Sequence, residues 1–173
     1  MSMFQNLGGV ISLFQNLGGV ISLFLNLGGV IALFPNLGGV ISLFQNLGGV
    51  ISLNESYETK KTLSVAEWKD LGITNLKFKI ADHVGAASVD QVKQIIEFIN
   101  EQDSFGKKVY VHCKAGKGRS ASVVMCYLCQ KRGISVEESF DLLKSKRQQI
   151  DLSFKQMRLV KKYYDTVLSQ ESS

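Results

Sequence analysis

The chain has 173 residues, with 20 Lys or Arg against 15 Asp or Glu, and its first 53 residues carry no charged side chain. The formal charge of +5 therefore belongs to Asn54 through Ser173, which favours an anionic substrate or an anionic membrane surface. Three cysteines, two of them in one apolar run, exclude the disulfide framework of a small secreted domain and point to a reducing compartment.

A decapeptide close to Phe-Gln-Asn-Leu-Gly-Gly-Val-Ile-Ser-Leu occurs five times, beginning at Phe4, Phe14, Phe24, Phe34 and Phe44. The copies differ only at Leu25, Ala32 and Pro35. Each copy reads as a short β-branched strand such as Gly49 to Leu53, punctuated by Asn-Leu-Gly-Gly as a turn. The even period puts equivalent side chains on one strand face, so stacked copies can form ladders. A membrane-spanning helix over Ile21 to Leu43 is the weaker alternative, because recurrent Asn and paired glycines are costly in lipid. Neither the basic start of a secretory signal nor an Arg-rich presequence is present, so no cleavable address is expected.

Past the repeat, four helix starts are predicted from capping boxes, at Ser64/Glu67, Ser88/Gln91, Ser135/Glu138 and Ser153/Gln156. Leu76 to Ile80 alternates like a half-buried strand, and Val109 to Val111 reads as a short buried strand leading into Cys113. Strands alternating with helices predict an α/β domain whose central sheet is mostly parallel and flanked by helices. The expected division is a repeat over 1–43, a domain over 44–168 and a tail over 169–173.

His112-Cys113-Lys114-Ala115-Gly116-Lys117-Gly118-Arg119-Ser120 sets a cysteine and an arginine either side of five residues, between a strand and a helix. Glycines there let successive N–H groups turn inward, and the helix aims its positive end at the same point. A phosphate dianion suits such a cup, cradled by the backbone of Lys114, Ala115, Gly116, Lys117 and Gly118. The same donors favour thiolate over thiol at Cys113, the expected nucleophile. Arg119 can grip two phosphoryl oxygens with its planar fork, which lysine cannot do equally well.

A carboxylic acid is needed to protonate the leaving oxygen and then to act as base on the attacking water. Asp82, after the Leu76 to Ile80 strand, is the first candidate; Asp90 competes, but its place in a first helical turn suits a dipole-stabilising charge. Ser120 can donate to the leaving sulfur, or serve as a helix-cap hydroxyl. His112 either orients the loop through a hydrogen bond or is a satisfied core group.

On these residues His112-Cys113-x5-Arg119-Ser120 resembles the signature of dual-specificity phosphatases in the protein tyrosine phosphatase superfamily. Asn54 to Thr59, Trp68 and Asp82 resemble, in order and spacing, the mitochondrial phosphatidylglycerophosphate phosphatase branch, from about Asn46 to about Asp165. The resemblance implies the cysteine-phosphatase fold, Cys113 as nucleophile, Arg119 as phosphate clamp, Asp82 as general acid, and no metal or organic cofactor. It implies that Glu55 and Glu58 organise the arginine or the substrate loop; the residues alone equally allow a solvated turn. Lys114 and Lys117 also resemble the loop of the tumour-suppressor phosphoinositide phosphatase, and extra cations suit a lipid headgroup. The chain departs from the family at its start, where copies of the Val-Ile-Ser-Leu strand replace an opening strand and helix. Tandem duplication of that strand accounts for this, with the Phe44 copy in its ordinary slot and an earlier copy completing the sheet edge.

The expected partner is a phosphorylated lipid, with a phosphoprotein as the alternative, together with peripheral membrane contact and no nucleic acid. An intracellular place, at a mitochondrial membrane or in the cytoplasm, follows from the resemblance. A non-catalytic phosphate-binding or repeat-driven assembly is the third reading. Cys126 and Cys129 lie within one predicted helix without a second pair, so they read as core, as do Met125, Tyr127 and Trp68. Lys60 and Lys61 read as surface.

Overall fold

The structure, a computed structural model, describes residues 30–31, 47–59 and 64–168. Among them four strands form one parallel sheet in the order β1-β4-β2-β3: β1 (Val30–Ile31), β2 (Leu47–Ser52), β3 (Thr74–Lys77) and β4 (Lys108–His112). The decapeptide copy that begins at Phe44 supplies β2, between β4 and β3, and the copy that begins at Phe24 supplies β1 against β4. Strand at Val30–Ile31 does not fit a spanning helix over Ile21 to Leu43. The other copies, and with them their stacking into ladders, lie outside the described residues, as do Lys60 and Lys61. No helix among the described residues is long and apolar enough to cross a membrane.

The paired glycines of β2 correct the turn reading. Leu47, Gly48 and Gly49 belong to the strand, and the register against β4 slips by one residue between Leu47 and Gly49, so Gly48 is a bulge. A Cβ on Gly48 would stand 2.3 Å from Gln102 Oε1, and one on Gly49 would stand 2.5 Å from the Phe98 ring. The glycines therefore admit a helix against the strand rather than ending it.

All four predicted capping boxes form, each with the serine oxygen accepting from the third residue's N–H and that residue's side chain reaching back. They open α1 (Val65–Asp70), α2 (Val89–Ser104), α4 (Val136–Lys146) and α5 (Phe154–Tyr163), each box contributing about 1 kcal/mol. The helix after the cysteine loop, α3 (Arg119–Arg132), starts instead at Gly118 with no side-chain cap. Ser120 lies one residue inside that helix, so it is not the cap hydroxyl. Gly133 ends α3 in the left-handed conformation.

Strand alternation distributes β2 and β4 to two faces. Ile51, Val109 and Val111 face the main core with α2 and α3, whereas Val50 and Tyr110 pack with Trp68 of α1 on the other face. α3 is buried from Arg119 through Cys129, so Met125, Cys126, Tyr127 and Cys129 are core residues. Burial raises the Cys126 and Cys129 thiols, which keeps them protonated packing groups.

The third strand is shorter and earlier than the expected Leu76 to Ile80. Its pairing with β2 ends at Ser52 opposite Lys77, and Phe78 N–H makes one last bond to Ser52 O at 2.9 Å. Beyond Ser52 the partner strand stays with β4 instead, Leu53 N–H bonding His112 O at 2.9 Å. Ile80 then buries in the core and leaves its carbonyl for Arg119.

Candidate active site

The parallel strands β2 and β4 stop side by side, which sets the loops after them at one edge of the sheet. β4 delivers His112 and Cys113, both buried, directly into α3. His112 donates to or accepts from Ser52 Oγ at 2.8 Å and stacks on Tyr110 with ring centroids 5.0 Å apart. Burial, reinforced by the Arg119 charge, lowers its pKa to about 4, so the ring is neutral. His112 is thus anchored to the neighbouring strand and holds the base of the loop.

Cys113 Sγ faces Gly116 N–H and Ser120 Oγ, each at 3.3 Å. Gly116 reaches this position with φ of 65°, a conformation glycine takes without steric cost. The cup opens into a cleft of about 520 Å³ lined by Asp82, His83, Cys113, Lys114, Lys117 and Asp151, among others. Ala115 and Gly118 also line it, so four of the five expected cradle residues reach the cleft and the fifth, Gly116, meets the sulfur.

Arg119 is buried and its terminal nitrogens are fully engaged. Glu58 takes both, Nη1 to Oε2 at 2.7 Å and Nη2 to Oε1 at 2.9 Å. Nη1 also donates to Ile80 O at 2.9 Å and Leu53 O at 3.2 Å, and Nη2 to Asp82 Oδ1 at 2.7 Å. Burial would raise the Glu58 carboxyl, but the Arg119 hydrogen bond and charge outweigh it and hold the group below its ordinary value. Of the two glutamates singled out in the sequence, Glu58 holds the arginine and Glu55 contributes its backbone N–H to Glu58 Oε2 at 2.7 Å.

Asp82 arrives from the loop after β3. Its Oδ1 also accepts from His83 N–H at 2.9 Å, made possible by His83 at φ of 60°, and its Oδ2 accepts from Lys114 Nζ at 3.1 Å. Partial burial works to raise this carboxyl, yet Lys114, the His83 N–H and Arg119 together lower it. Lys114 is correspondingly raised by Asp82. The competitor Asp90 is exposed in the first turn of α2, where it meets the helix dipole.

Two residues at the site were not legible as site residues in the sequence. Arg147, buried at the end of α4, donates Nη2 to Ala115 O at 3.2 Å and to Gln149 Oε1 at 3.0 Å, so it braces the cup from behind. Gln156, legible only as a capping residue, donates Nε2 to Gly85 O at 2.8 Å and touches Gly118 closely enough that a Cβ there would stand 2.4 Å from its Oε1. It links the Asp82 loop to the cysteine loop.

Comparison with known proteins matches this arrangement. The profile described as dual specificity phosphatase, catalytic domain, matches residues 44–166. Phosphatidylglycerophosphate phosphatase PTPMT1 of Arabidopsis thaliana is 39% identical over 120 residues, 69% of this chain and 35% of that one. Phosphatidylglycerophosphatase and protein-tyrosine phosphatase 1 of Homo sapiens is 35% identical over 118 residues, 68% of this chain and 59% of that one. The chain thus matches about a third to three-fifths of the length of these relatives. The crystal structure of PTPMT1 in complex with PI(5)P superposes with a TM-score of 0.73 at 29% identity, covering 83% of this chain and 95% of that one.

Proposed function

The chain belongs to the dual specificity phosphatase catalytic-domain family, and we propose that it hydrolyses phosphate monoesters of membrane lipids through a phospho-cysteine intermediate. The observation that carries this reading is the convergence of Cys113, Arg119 and Asp82 on one cleft that also holds Lys114 and Lys117. In the first step Cys113 Sγ attacks phosphorus, the ester P–O bond breaks, and Asp82 gives its proton to the leaving oxygen. The inward amides from Lys114 to Gly118 and the Arg119 fork carry the equatorial oxygens. In the second step Asp82 takes a proton from water, the water oxygen attacks phosphorus, and the S–P bond breaks with Ser120 donating to the departing sulfur.

Asp82 is ionised in the substrate-free site, which is the wrong state for an acid. A phosphoryl oxygen that takes Arg119 Nη2 removes the aspartate's partner, and the dianion beside it disfavours a second negative charge. Both changes raise the carboxyl toward protonation when substrate enters. The acid is thereby armed by the substrate.

Lipid is favoured over phosphoprotein by the cations at the cleft and by relatives whose names state phosphatidylglycerophosphate as substrate. A phosphotyrosyl substrate is the second reading, supported by the protein-tyrosine phosphatase half of the human relative's name. Release of inorganic phosphate from phosphatidylglycerophosphate, a phosphoinositide and a phosphotyrosyl peptide separates them, with Cys113→Ser as the blank. Preference for either lipid supports the proposal; preference for the peptide overturns it. We further propose that residues 1–43 are a tandem repeat of the decapeptide sequence that also contains β2, preceding a domain over 44–168 and a tail over 169–173.

A further inference from the structure

Five large apolar side chains are exposed among the described residues: Tyr57, Val65, Val84, Phe105 and Phe154. Isolated exposed apolar groups are ordinary, but three of these border one opening. Val84 follows His83, and Phe154 follows Ser153; both His83 and Ser153 line the cleft. The Gln156 bond to Gly85 O joins the two segments directly, one residue beyond Val84 and two beyond Phe154. Tyr57 precedes Glu58, which shares the Arg119 guanidinium with Asp82, a residue that lines the cleft, so Tyr57 stands on the same side of the opening. The three are 65%, 58% and 81% exposed, and none of them lines the cleft itself.

Cations accompany them. Lys114 and Lys117 lie in the mouth, and Lys155 and Arg158 are exposed beside Phe154 and one turn further along α5. Asp151 is the exposed acid on this rim, and Asp82 is already paired. Apolar tips ringed by lysine and arginine are the composition of a surface that enters a headgroup layer. The other two exposed groups, Val65 at the start of α1 and Phe105 at the end of α2, do not border the cleft.

We propose that Tyr57, Val84 and Phe154 form a bilayer-docking face that seats the cleft on an anionic membrane, so that a lipid phosphate is reached at the surface. This rests on the lipid reading of the site. With the face seated, the apolar tips sit among the headgroups, and the cup points at phosphates that stand at that depth.

The test uses the full chain carrying Cys113→Ser, sedimented with vesicles of phosphatidylcholine alone or mixed with phosphatidylglycerol. Binding to the mixed vesicles is expected to weaken at least tenfold in Val84→Ser/Phe154→Ser. With Cys113 intact, the double variant is expected to hydrolyse a water-soluble aryl phosphate within about twofold of the parent, while hydrolysis of vesicle-embedded phosphatidylglycerophosphate falls at least tenfold. Tyr57→Ser, on a separate loop, is expected to reproduce the vesicle-specific loss if the double variant is poorly folded. Variants that bind vesicles and hydrolyse embedded lipid like the parent overturn the proposal, as does a parent that binds neither vesicle. A parent that hydrolyses peptide but no lipid sinks the substrate reading separately, while vesicle binding by the Cys113→Ser chain still reports on the face. A double variant that loses only peptide hydrolysis marks the face as a protein dock and overturns it.

Discussion

Two carboxylates reach the same guanidinium from different loops, and they are built for different work. Glu58, from the short 3₁₀ turn after β2, is 2% exposed and engages Arg119 through both oxygens. Asp82, from the loop after β3, is 18% exposed and gives Arg119 a single oxygen while Lys114 holds the other. Solvent access and a single contact make an exchangeable partner; burial and a two-point contact make a fixed one. Both carboxyls lie below their ordinary values, so the direction of the shift alone does not tell acid from anchor.

The largest expected effect breaks the pair at its exchangeable member. Asp82→Asn should lower kcat by about 10² to 10⁴ while leaving the unfolding midpoint in urea nearly unchanged. The rate of the parent should fall as pH rises through the value at which Asp82 loses its proton in the substrate complex, and that fall should vanish in the variant. A variant that keeps its rate and loses stability instead would make Asp82 a second structural anchor of Arg119, like Glu58.

Removing the fixed member should act the other way. Glu58→Ala leaves a buried guanidinium short of its main partner and should cost about 3 kcal/mol of stability, read by denaturant unfolding. Because the folded Glu58 carboxyl is depressed, its contribution is present above the ordinary value of 4.5 and is lost as pH falls through the lower folded value. Glu58→Gln should flatten that part of the pH–stability curve.

His112 sharpens the contrast at slightly higher pH. Its folded value near 4 lies below the ordinary 6.5, so the unfolded chain binds the proton first and stability falls as pH drops across that window, by up to about 3 kcal/mol. His112→Asn should remove this slope, measured by unfolding at fixed pH steps. The smallest effect is expected at Gln156→Ala, which frees Gly85 O and the Asp82 loop. Loss of the Gly85 bond should reduce kcat up to about tenfold with KM little changed, in steady-state kinetics, while loss of the Ser153 N–H bond of the capping box should cost about 1 kcal/mol of stability. A loss of stability with kcat unchanged would make Gln156 a capping and packing residue only.

Local features were legible because their partners lie within a few residues. Each capping box joins a serine to the residue three places on, and the cup from His112 to Ser120 is one continuous segment between a strand and a helix. The Asp82 loop could be singled out by chemistry, since an alkoxide leaving group needs an acid. The choice between Glu55 and Glu58 was not available, because it depends on which of them meets a residue 61 positions away. Arg147 and the second role of Gln156 were hidden for the same reason, their partners Ala115 and Gly85 lying 32 and 71 residues distant.

The repeat marks the boundary most clearly. Chain composition and the loop motif determined an α/β phosphatase domain, the loop that joins Cys113 to Arg119, and the helix starts, since all of these are encoded in neighbouring residues. Copies nearly identical in sequence nevertheless take different places, six residues of β2 between two strands and two residues of β1 beside one. Only the tertiary structure decided which copy occupies which slot, where β3 ends, and which carboxylate is buried against Arg119. Those outcomes are set by long-range pairing and burial, which identical or similar short segments satisfy equally well until the rest of the chain packs against them.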